Sequence, residues 1–137
     1  MTDSSRLPAV VFLCTENANR SQMAEGFARA LAADRLEVYS AGSAASGEIN
    51  PRAVEAMAER GIDIAAQRSI ATDALPSRAF DVVVTMGCGD ACPWLPAARR
   101  QDWGLDDPKH LDDAGYRQVR DEIERRVAAL VTELVGG

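Results

Sequence analysis

The sequence of 137 residues lacks any long apolar run and carries no excess of basic residues. None of its apolar runs approaches the roughly 20 residues that a membrane-spanning helix requires. The formal net charge of −6 argues against nucleic-acid binding, because a protein that neutralises backbone phosphates needs a basic face. The opening stretch, MTDSSRLPA, lacks the apolar segment of a secretory signal. We therefore expect a cytoplasmic protein that binds neither a membrane nor nucleic acid.

Cysteine is scarce and odd in number, with Cys14, Cys88 and Cys92 as the three examples. An odd count in a cytoplasmic chain argues against a static disulfide framework and favours catalytic, redox or metal-binding use. Repeats, low-complexity tracts and internal linkers are also absent from the sequence. The length suits one domain. We expect a flexible polar tail over residues 1–8 and a single domain over 9–137, acting as a monomer.

Strand-like apolar runs alternate with helical patterns along the chain. The predicted strands are AVVFL at 9–13, LEVYSAG at 36–42, FDVVVTM at 80–86 and a shorter one near 101–103. The predicted helices start at Ser21, at Pro51 behind an Asn50 N-cap and before a terminating Gly61, and near Tyr116. This alternation predicts a single-domain, three-layer α/β/α fold with a four-stranded parallel sheet.

The first strand runs directly into CTENANRS, a C-x5-R loop that leads to a helix. In open α/β sheets, ligands bind beyond the carboxyl ends of the strands, and a helix N-terminus attracts anions. Arg20 can offer a planar fork to two oxygens of a tetrahedral oxyanion. Ser21 is placed to hydrogen-bond the Cys14 sulfur, and the positive helix end favours the thiolate. The loop is therefore predicted to hold a cysteine nucleophile beside a bound oxyanion. The predicted oxyanion-binding residues are Thr15, Glu16, Asn17, Ala18, Asn19 and Arg20.

The backbone of this loop must turn tightly around the anion. Asn17 and Asn19 are predicted to supply left-handed conformations there, since Asn tolerates positive φ better than most residues. The alternative reading of the segment is a strand that ends at a cysteine and a helix that happens to begin with an arginine. The placement between a buried strand and an amphipathic helix favours the catalytic interpretation.

Several motifs in order, CTENANRSQMAEGF, VYSAG, NPRAVEAM, DVVVTMGCGDACP, WGLDDP and VRDEI, resemble the arsenate reductases built on the low-molecular-weight tyrosine phosphatase fold. The resemblance implies that the Cys14 loop binds arsenate, with phosphate or sulfate as alternative occupants. It also implies that Asp107 is a general acid and that Cys88 and Cys92 carry the oxidising equivalent away. No cofactor is implied, and thioredoxin is the implied reductant.

The relay that the resemblance implies begins with a Cys14–arsenate adduct. Cys88 then forms a disulfide with Cys14, and Cys92 displaces Cys14 to leave an exposed Cys88–Cys92 disulfide. Related enzymes instead pass arsenate to a small thiol such as mycothiol and use a glutaredoxin-like partner. A phosphotyrosine phosphatase is a second alternative, and it would need Cys14, Arg20 and Asp107 only.

Three departures from the family pattern bear on function. Glu16 stands where the family often has Gly, so its carboxylate must point away from the anion. Some members hold potassium beneath the loop, and Asn17, Glu25 and Ser40 match three of its ligands, but Ile70 occupies the fourth position. Cys88 and Cys92 are closer together than in better-known thioredoxin-coupled members.

A zinc site and a structural role for Asp107 are two further interpretations. Zinc ligation by Cys88, Cys92 and His110 would require the proposed nucleophile Cys14 as its fourth ligand, so no metal site is expected. Asp107 precedes Pro108, which favours an extended backbone, and Asp-Pro pairs are also common in turns. Asp107 is therefore either a general acid or a turn residue on this evidence alone.

Overall fold

A computed structural model describes residues 7–76, 78–87 and 94–136, and its four strands form one parallel sheet. The strands are β1 (Ala9–Cys14), β2 (Glu37–Gly42), β3 (Phe80–Thr85) and β4 (Ala97–Asp102), in the order β2-β1-β3-β4. Cys14 lies opposite Gly42 in the β1–β2 pair, and Leu13 lies opposite Thr85 in the β1–β3 pair. The carboxyl ends of these strands therefore share one edge of the sheet, which is where ligands bind in such folds.

Strand β4 is longer than predicted and starts earlier in the sequence. The prediction placed a short strand near 101–103, whereas β4 covers Ala97–Asp102. Arg99 and Arg100 within it are exposed. Because β4 is an edge strand with solvent-facing charges, it has no continuous apolar run that would signal its start.

Three helices accompany the sheet: α1 (Arg20–Ala32), α2 (Pro51–Ala58) and α3 (Asp113–Val135). The Asn50 side chain accepts a hydrogen bond of 2.9 Å from the Arg52 N–H, which confirms the predicted cap of α2. The helix ends at Ala58, earlier than expected, and a turn then leads to Gly61 at φ +76°. The predicted C-terminal helix is confirmed, with Asp112 as its N-cap through a 2.8 Å bond from the Gly115 N–H.

The two faces of the sheet bury different apolar clusters. Alternate β1 residues Val10, Phe12 and Cys14 pack into a large cluster with residues of all three helices. The opposite face, which carries Ala9, Val11 and Leu13 of β1, packs against loop residues, among them Leu75 beside a 3₁₀ turn. The predicted α/β fold class is confirmed. Within the described parts of the chain, no helix combines the length and the apolar character needed to cross a membrane.

An acid-sensitive contact joins α2 to α3. Glu59 accepts hydrogen bonds from Arg117 at 3.0 Å and from the buried Arg120 at 2.6 Å. These two guanidinium groups, with Arg117 as the larger cause, lower the pKa of Glu59 from 4.5 to about 2. A carboxyl group whose folded-state pKa is depressed stabilises the fold above its unfolded pKa and loses that contribution as pH falls.

We expect Glu59→Gln to lower the free energy of unfolding at pH 7, because the buried Arg120 loses one of its two charged partners and keeps only Asp121. The difference from the parent should shrink between about pH 4.5 and 2. Urea denaturation at several pH values measures the free energy of unfolding of the parent and of the variant. Glu48→Gln is the matched control, because Glu48 is exposed and forms no ion pair within the described residues. An equal deficit for Glu59→Gln at pH 7 and pH 2 would contradict the assignment.

Candidate active site

The loop after β1 directs its backbone carbonyl groups toward the segment that follows β2. The carbonyl oxygens of Cys14, Thr15, Glu16 and Ala18 accept backbone hydrogen bonds of 2.8–3.3 Å from the segment that follows β2. By contrast, no N–H group of residues 15–19 donates to an acceptor within the described parts of the chain. Together with the first N–H groups of α1, these donors form an anion cradle at a helix N-terminus.

Asn17 holds the loop in its tight conformation. Its φ of 51° is left-handed, as predicted. Its side-chain nitrogen donates to Ser21 Oγ at 2.7 Å and to Ser40 Oγ at 3.0 Å, and its side-chain oxygen accepts from the Ile70 N–H at 2.9 Å. Because these bonds reach α1, β2 and the segment before β3, Asn17 fixes the loop to three parts of the fold.

Asn19 does not adopt the left-handed conformation that was predicted for it. Its φ is −125°, and it occupies the N-cap position of α1. Its side-chain oxygen accepts a 2.7 Å hydrogen bond from the Tyr116 hydroxyl, and burial raises the pKa of Tyr116. Tyr116 therefore remains a donor and ties the end of the loop to α3, a role that the apolar pattern of α3 did not indicate.

Cys14 and Ser21 make the contact that the sequence predicted. The Cys14 sulfur is buried and lies 2.8 Å from Ser21 Oγ. Since Ser21 Oγ accepts the Asn17 amide hydrogen, the serine hydroxyl hydrogen is available for the sulfur.

Arg20 is buried and held by two loops. Its Nη1 donates to the Met86 carbonyl at 2.6 Å and to the Leu105 carbonyl at 3.0 Å. Its Nη2 lies 3.9 Å from Asp107 Oδ2. The sequence indicated the arginine but not these two carbonyl partners. They fix the plane of the guanidinium group, so the group is preorganised for a planar contact with an oxyanion.

Asp107 lies beside Arg20 at the start of a 3₁₀ turn. Its Oδ1 accepts a 3.1 Å hydrogen bond from the Lys109 N–H, so it caps the 3₁₀ turn Pro108–His110. This contact matches the turn interpretation, whereas the position of Oδ2 beside Arg20 matches the general acid. A small cavity is lined by Cys14, Glu16, Ala18, Asn19, Arg20 and Asp107. Cys88 and Cys92 lie outside the described residues.

The Glu16 side chain is partly exposed but also lines this cavity, and it has a partner that the sequence did not indicate. Its carboxylate is 2.7 Å from Lys109 Nζ. This hydrogen bond raises the pKa of Lys109. The charge of Glu16 is therefore compensated locally, which reduces the loss of anion attraction expected from a carboxylate in the loop.

The three residues considered for potassium form a continuous hydrogen-bonded chain. Asn17 donates to Ser40, and the Ser40 hydroxyl donates to Glu25 Oε1 at 2.5 Å. The second Glu25 oxygen accepts from Arg29 at 2.8 Å. Ile70 contributes its backbone N–H to Asn17. These oxygens already receive donors from the protein, so the arrangement stabilises the loop through direct bonds.

Of the four residues considered as zinc ligands, the structure describes Cys14 and His110. His110 ends the 3₁₀ turn Pro108–His110 and is exposed. Within residues 7–76, 78–87 and 94–136, no three His, Cys, Asp or Glu side chains group as metal ligands.

Sequence reasoning missed two glycines that make room for the site. A Cβ atom at Gly42 would lie 2.5 Å from the Thr15 carbonyl oxygen, and one at Gly87 would lie 2.8 Å from the Leu105 carbonyl oxygen and collide with Arg20. Gly42 is the last residue of β2 and Gly87 lies two residues after β3, and this position at a strand end was the available signal. Both positions need the absence of a side chain because the backbone or Arg20 passes close by.

We expect Gly87→Ala to weaken the binding of inorganic phosphate about 10- to 100-fold, because the added methyl group displaces Arg20 from its place beside the loop. Isothermal titration calorimetry measures this affinity. Gly104→Ala is the matched control: its φ of +52° is also positive, but nothing lies within 4 Å of its added Cβ. Equal losses in both variants would show that backbone strain, and not the position of Arg20, causes the effect.

Comparison with known proteins gives consistent matches over almost the whole chain. A profile of the family described as "Low molecular weight phosphotyrosine protein phosphatase" matches residues 9–136. An arsenate reductase of Bacillus subtilis (strain 168) is 46% identical over 128 residues, which cover 86% of this chain and 91% of that protein.

Two solved structures extend the comparison to three dimensions. A structure titled "An arsenate reductase in the phosphate binding state" matches with a TM-score of 0.85 and 37% identity, covering 93% of this chain and 99% of that one. A thioredoxin-dependent arsenate reductase of Corynebacterium glutamicum matches with a TM-score of 0.79 and 35% identity, covering 96% of this chain and 63% of that one. The similarity therefore includes the sheet edge that carries Cys14.

Proposed function

We propose that this chain, which belongs to the low molecular weight phosphotyrosine protein phosphatase family, reduces arsenate to arsenite and so serves in arsenic detoxification. The observation that carries the proposal is the buried Cys14 sulfur, 2.8 Å from Ser21 Oγ and inside a loop whose N–H groups can bind a tetrahedral anion. The relatives named arsenate reductases favour arsenate as the substrate.

In the first step, the Cys14 thiolate attacks arsenic and forms an S–As bond. One As–O bond breaks, and the departing oxygen takes a proton from Asp107 and leaves as water. Arg20 and the N–H groups of the loop stabilise the negative charge on the remaining oxygens. The side chain of Asp107 is 35% exposed and lies 3.9 Å from Arg20 Nη2, so it can reach both the anion and solvent.

The redox step uses a second thiolate. Cys88 attacks the Cys14 sulfur, an S–S bond forms, and the electron pair of the breaking S–As bond stays on arsenic, which leaves as arsenite. Cys92 then attacks Cys88, which frees the Cys14 thiolate and leaves a Cys88–Cys92 disulfide. Two electrons from an external dithiol restore the enzyme. The presence of both cysteines in the sequence supports a relay, and neither lies within the described residues.

Thioredoxin is the dithiol that we propose, in keeping with the relative from C. glutamicum whose name states this dependence. The cytoplasm is the proposed compartment, because its reducing systems keep such thiols reduced. We propose a monomer, because Cys14, Arg20, Ser21 and Asp107 meet within one chain. Phosphate and sulfate should compete with arsenate for the loop, since all three are tetrahedral oxyanions.

A coupled assay tests the proposal. Purified enzyme is given arsenate with thioredoxin and its reductase, or with mycothiol and a glutaredoxin-like partner, and arsenite is measured directly. We expect turnover with thioredoxin. Turnover only in the assay with mycothiol and the glutaredoxin-like partner would replace the internal relay by the small-thiol alternative. Absence of arsenite in both assays would reject arsenate reduction.

A phosphotyrosine phosphatase remains the second candidate, because it would use the same Cys14, Arg20 and Asp107. The segment after Asp107 carries Pro108, Lys109 and His110 and offers no phenyl or indole ring to grip a tyrosyl group. Hydrolysis of a phosphotyrosine peptide at a kcat/KM above that for arsenate reduction would favour the phosphatase.

A further inference from the structure

An ion pair joins the two loops that meet over the anion cradle. Glu16 belongs to the loop after β1, and Lys109 lies 93 residues later, in the 3₁₀ turn after Asp107. The carboxylate and the ammonium group are 2.7 Å apart, and both side chains are partly exposed. The contact therefore spans the site from one rim to the other.

Lys109 contacts both Glu16 and Asp107, through different groups. Its side chain binds Glu16, whereas its backbone N–H donates to Asp107 Oδ1 at 3.1 Å. On the other side, Arg52 donates to the Leu111 carbonyl at 2.9 Å and to the Lys109 carbonyl at 3.3 Å. The turn that orients Asp107 is thus held by Arg52 of α2 and by Glu16 of the loop after β1.

The same pair places two opposite charges at the cavity. Glu16 lines the small cavity together with Cys14 and Arg20. A carboxylate beside the cavity with no positive charge nearby would repel a bound oxyanion, and an ammonium group with no negative charge nearby would attract it. Because the two charges are 2.7 Å apart, each reduces the field of the other at the cavity.

We propose that Glu16 and Lys109 are positioning residues that hold Asp107 over the anion loop and balance the charge there, so that each affects turnover through Asp107 and anion affinity through its own charge. The part about turnover rests on the proposed arsenate reduction. The part about affinity does not, because it can be measured with inorganic phosphate.

The test compares Glu16→Gln, Lys109→Gln and the double variant, each assayed for phosphate affinity by calorimetry and for arsenate turnover. Lys109→Gln should weaken phosphate binding about three- to fivefold, and Glu16→Gln should tighten it by a similar factor. The double variant should return close to the parent affinity. The kcat for arsenate should fall about threefold or more in all three variants, since each one removes the ion pair between Glu16 and Lys109.

Two controls separate this role from a general loss of structure. Lys109→Arg keeps the charge and the contact, so its affinity and kcat should stay near those of the parent. Arg99→Gln removes an exposed ion pair with Glu133 that lies 2.8 Å apart on β4 and α3, and should change neither quantity.

The outcomes are distinct. Affinity shifts in the same direction for the two single variants, or an unchanged kcat in all three, would overturn the proposal. Opposite affinity shifts in a parent enzyme that fails to reduce arsenate would uphold the charge balance and reject the proposed function instead.

Discussion

Cys14→Ser should abolish the reduction of arsenate, with a loss on the order of a thousandfold or more in kcat. A serine hydroxyl at the end of β1 keeps the size of the side chain and its contact with Ser21. It is far less nucleophilic than a thiolate, and it cannot take part in a disulfide. The measurement is arsenite production under saturating thioredoxin, followed for many enzyme equivalents.

Binding measurements show whether the loss belongs to the chemistry or to the fold. Phosphate affinity of Cys14→Ser should stay near that of the parent, because the N–H groups of the loop and Arg20 are unchanged. Ser21→Ala serves as the matched variant: it keeps the thiol but removes the hydroxyl 2.8 Å from the sulfur. It should lose about 10- to 100-fold in rate, as expected for one hydrogen bond to a charged group. Sustained turnover by Cys14→Ser would refute the nucleophile assignment.

The sequence predicted the elements whose signals are local. β1 is a continuous buried run, and β3 carries the apolar run 82–84 after the exposed Asp81, because both faces of a central parallel strand are largely buried. The stripe of α3 is regular because one side of a 23-residue helix packs against the core. Strand β4 was placed too late, since an exposed edge strand needs no apolar run, and its pairing with β3 involves residues far away in sequence.

The same distinction applies to the site. Cys14, Arg20 and Ser21 lie within one short motif, so their proximity could be predicted from the C-x5-R spacing. The partners of Glu16 and Asn19 are 93 and 97 residues away along the chain, and no local pattern marks Lys109 or Tyr116 as such. Asn19 illustrates the limit: its residue type permits a left-handed backbone, but the N-cap position of α1 requires another conformation.

The burial of Cys14 bears on how a protein reductant could restore its thiol. Cys14 is buried at 2% exposure, with Ser21 at its sulfur and Arg20 nearby. A disulfide formed at this position would be poorly accessible to a protein reductant, which needs to bring its own thiolate to a sulfur atom. A relay that moves the disulfide from Cys14 to another pair of cysteines solves this problem of access.

Cys92→Ser tests that relay and should stop the enzyme after a single turnover. Cys88 can still attack Cys14 and release one arsenite per enzyme molecule, but no thiol remains to free Cys14. Rapid-quench measurement of arsenite should give a burst of one equivalent followed by almost no steady-state rate. Peptide mapping with free thiols blocked should find a Cys14–Cys88 link in the variant and a Cys88–Cys92 link in the arsenate-treated parent.

The alternatives predict different results for the same variant. A phosphatase would hydrolyse its substrate at the parental rate, because its chemistry needs only Cys14, Arg20 and Asp107. An enzyme coupled to a small thiol would keep cycling, since the external thiol replaces Cys92. A zinc site would lose its metal and, with it, stability. Cys88→Ser completes the set: without the first resolving thiol, the relay should release no arsenite at all, so a burst of one equivalent from Cys88→Ser would show that Cys92 attacks the adduct first and would reverse the proposed order.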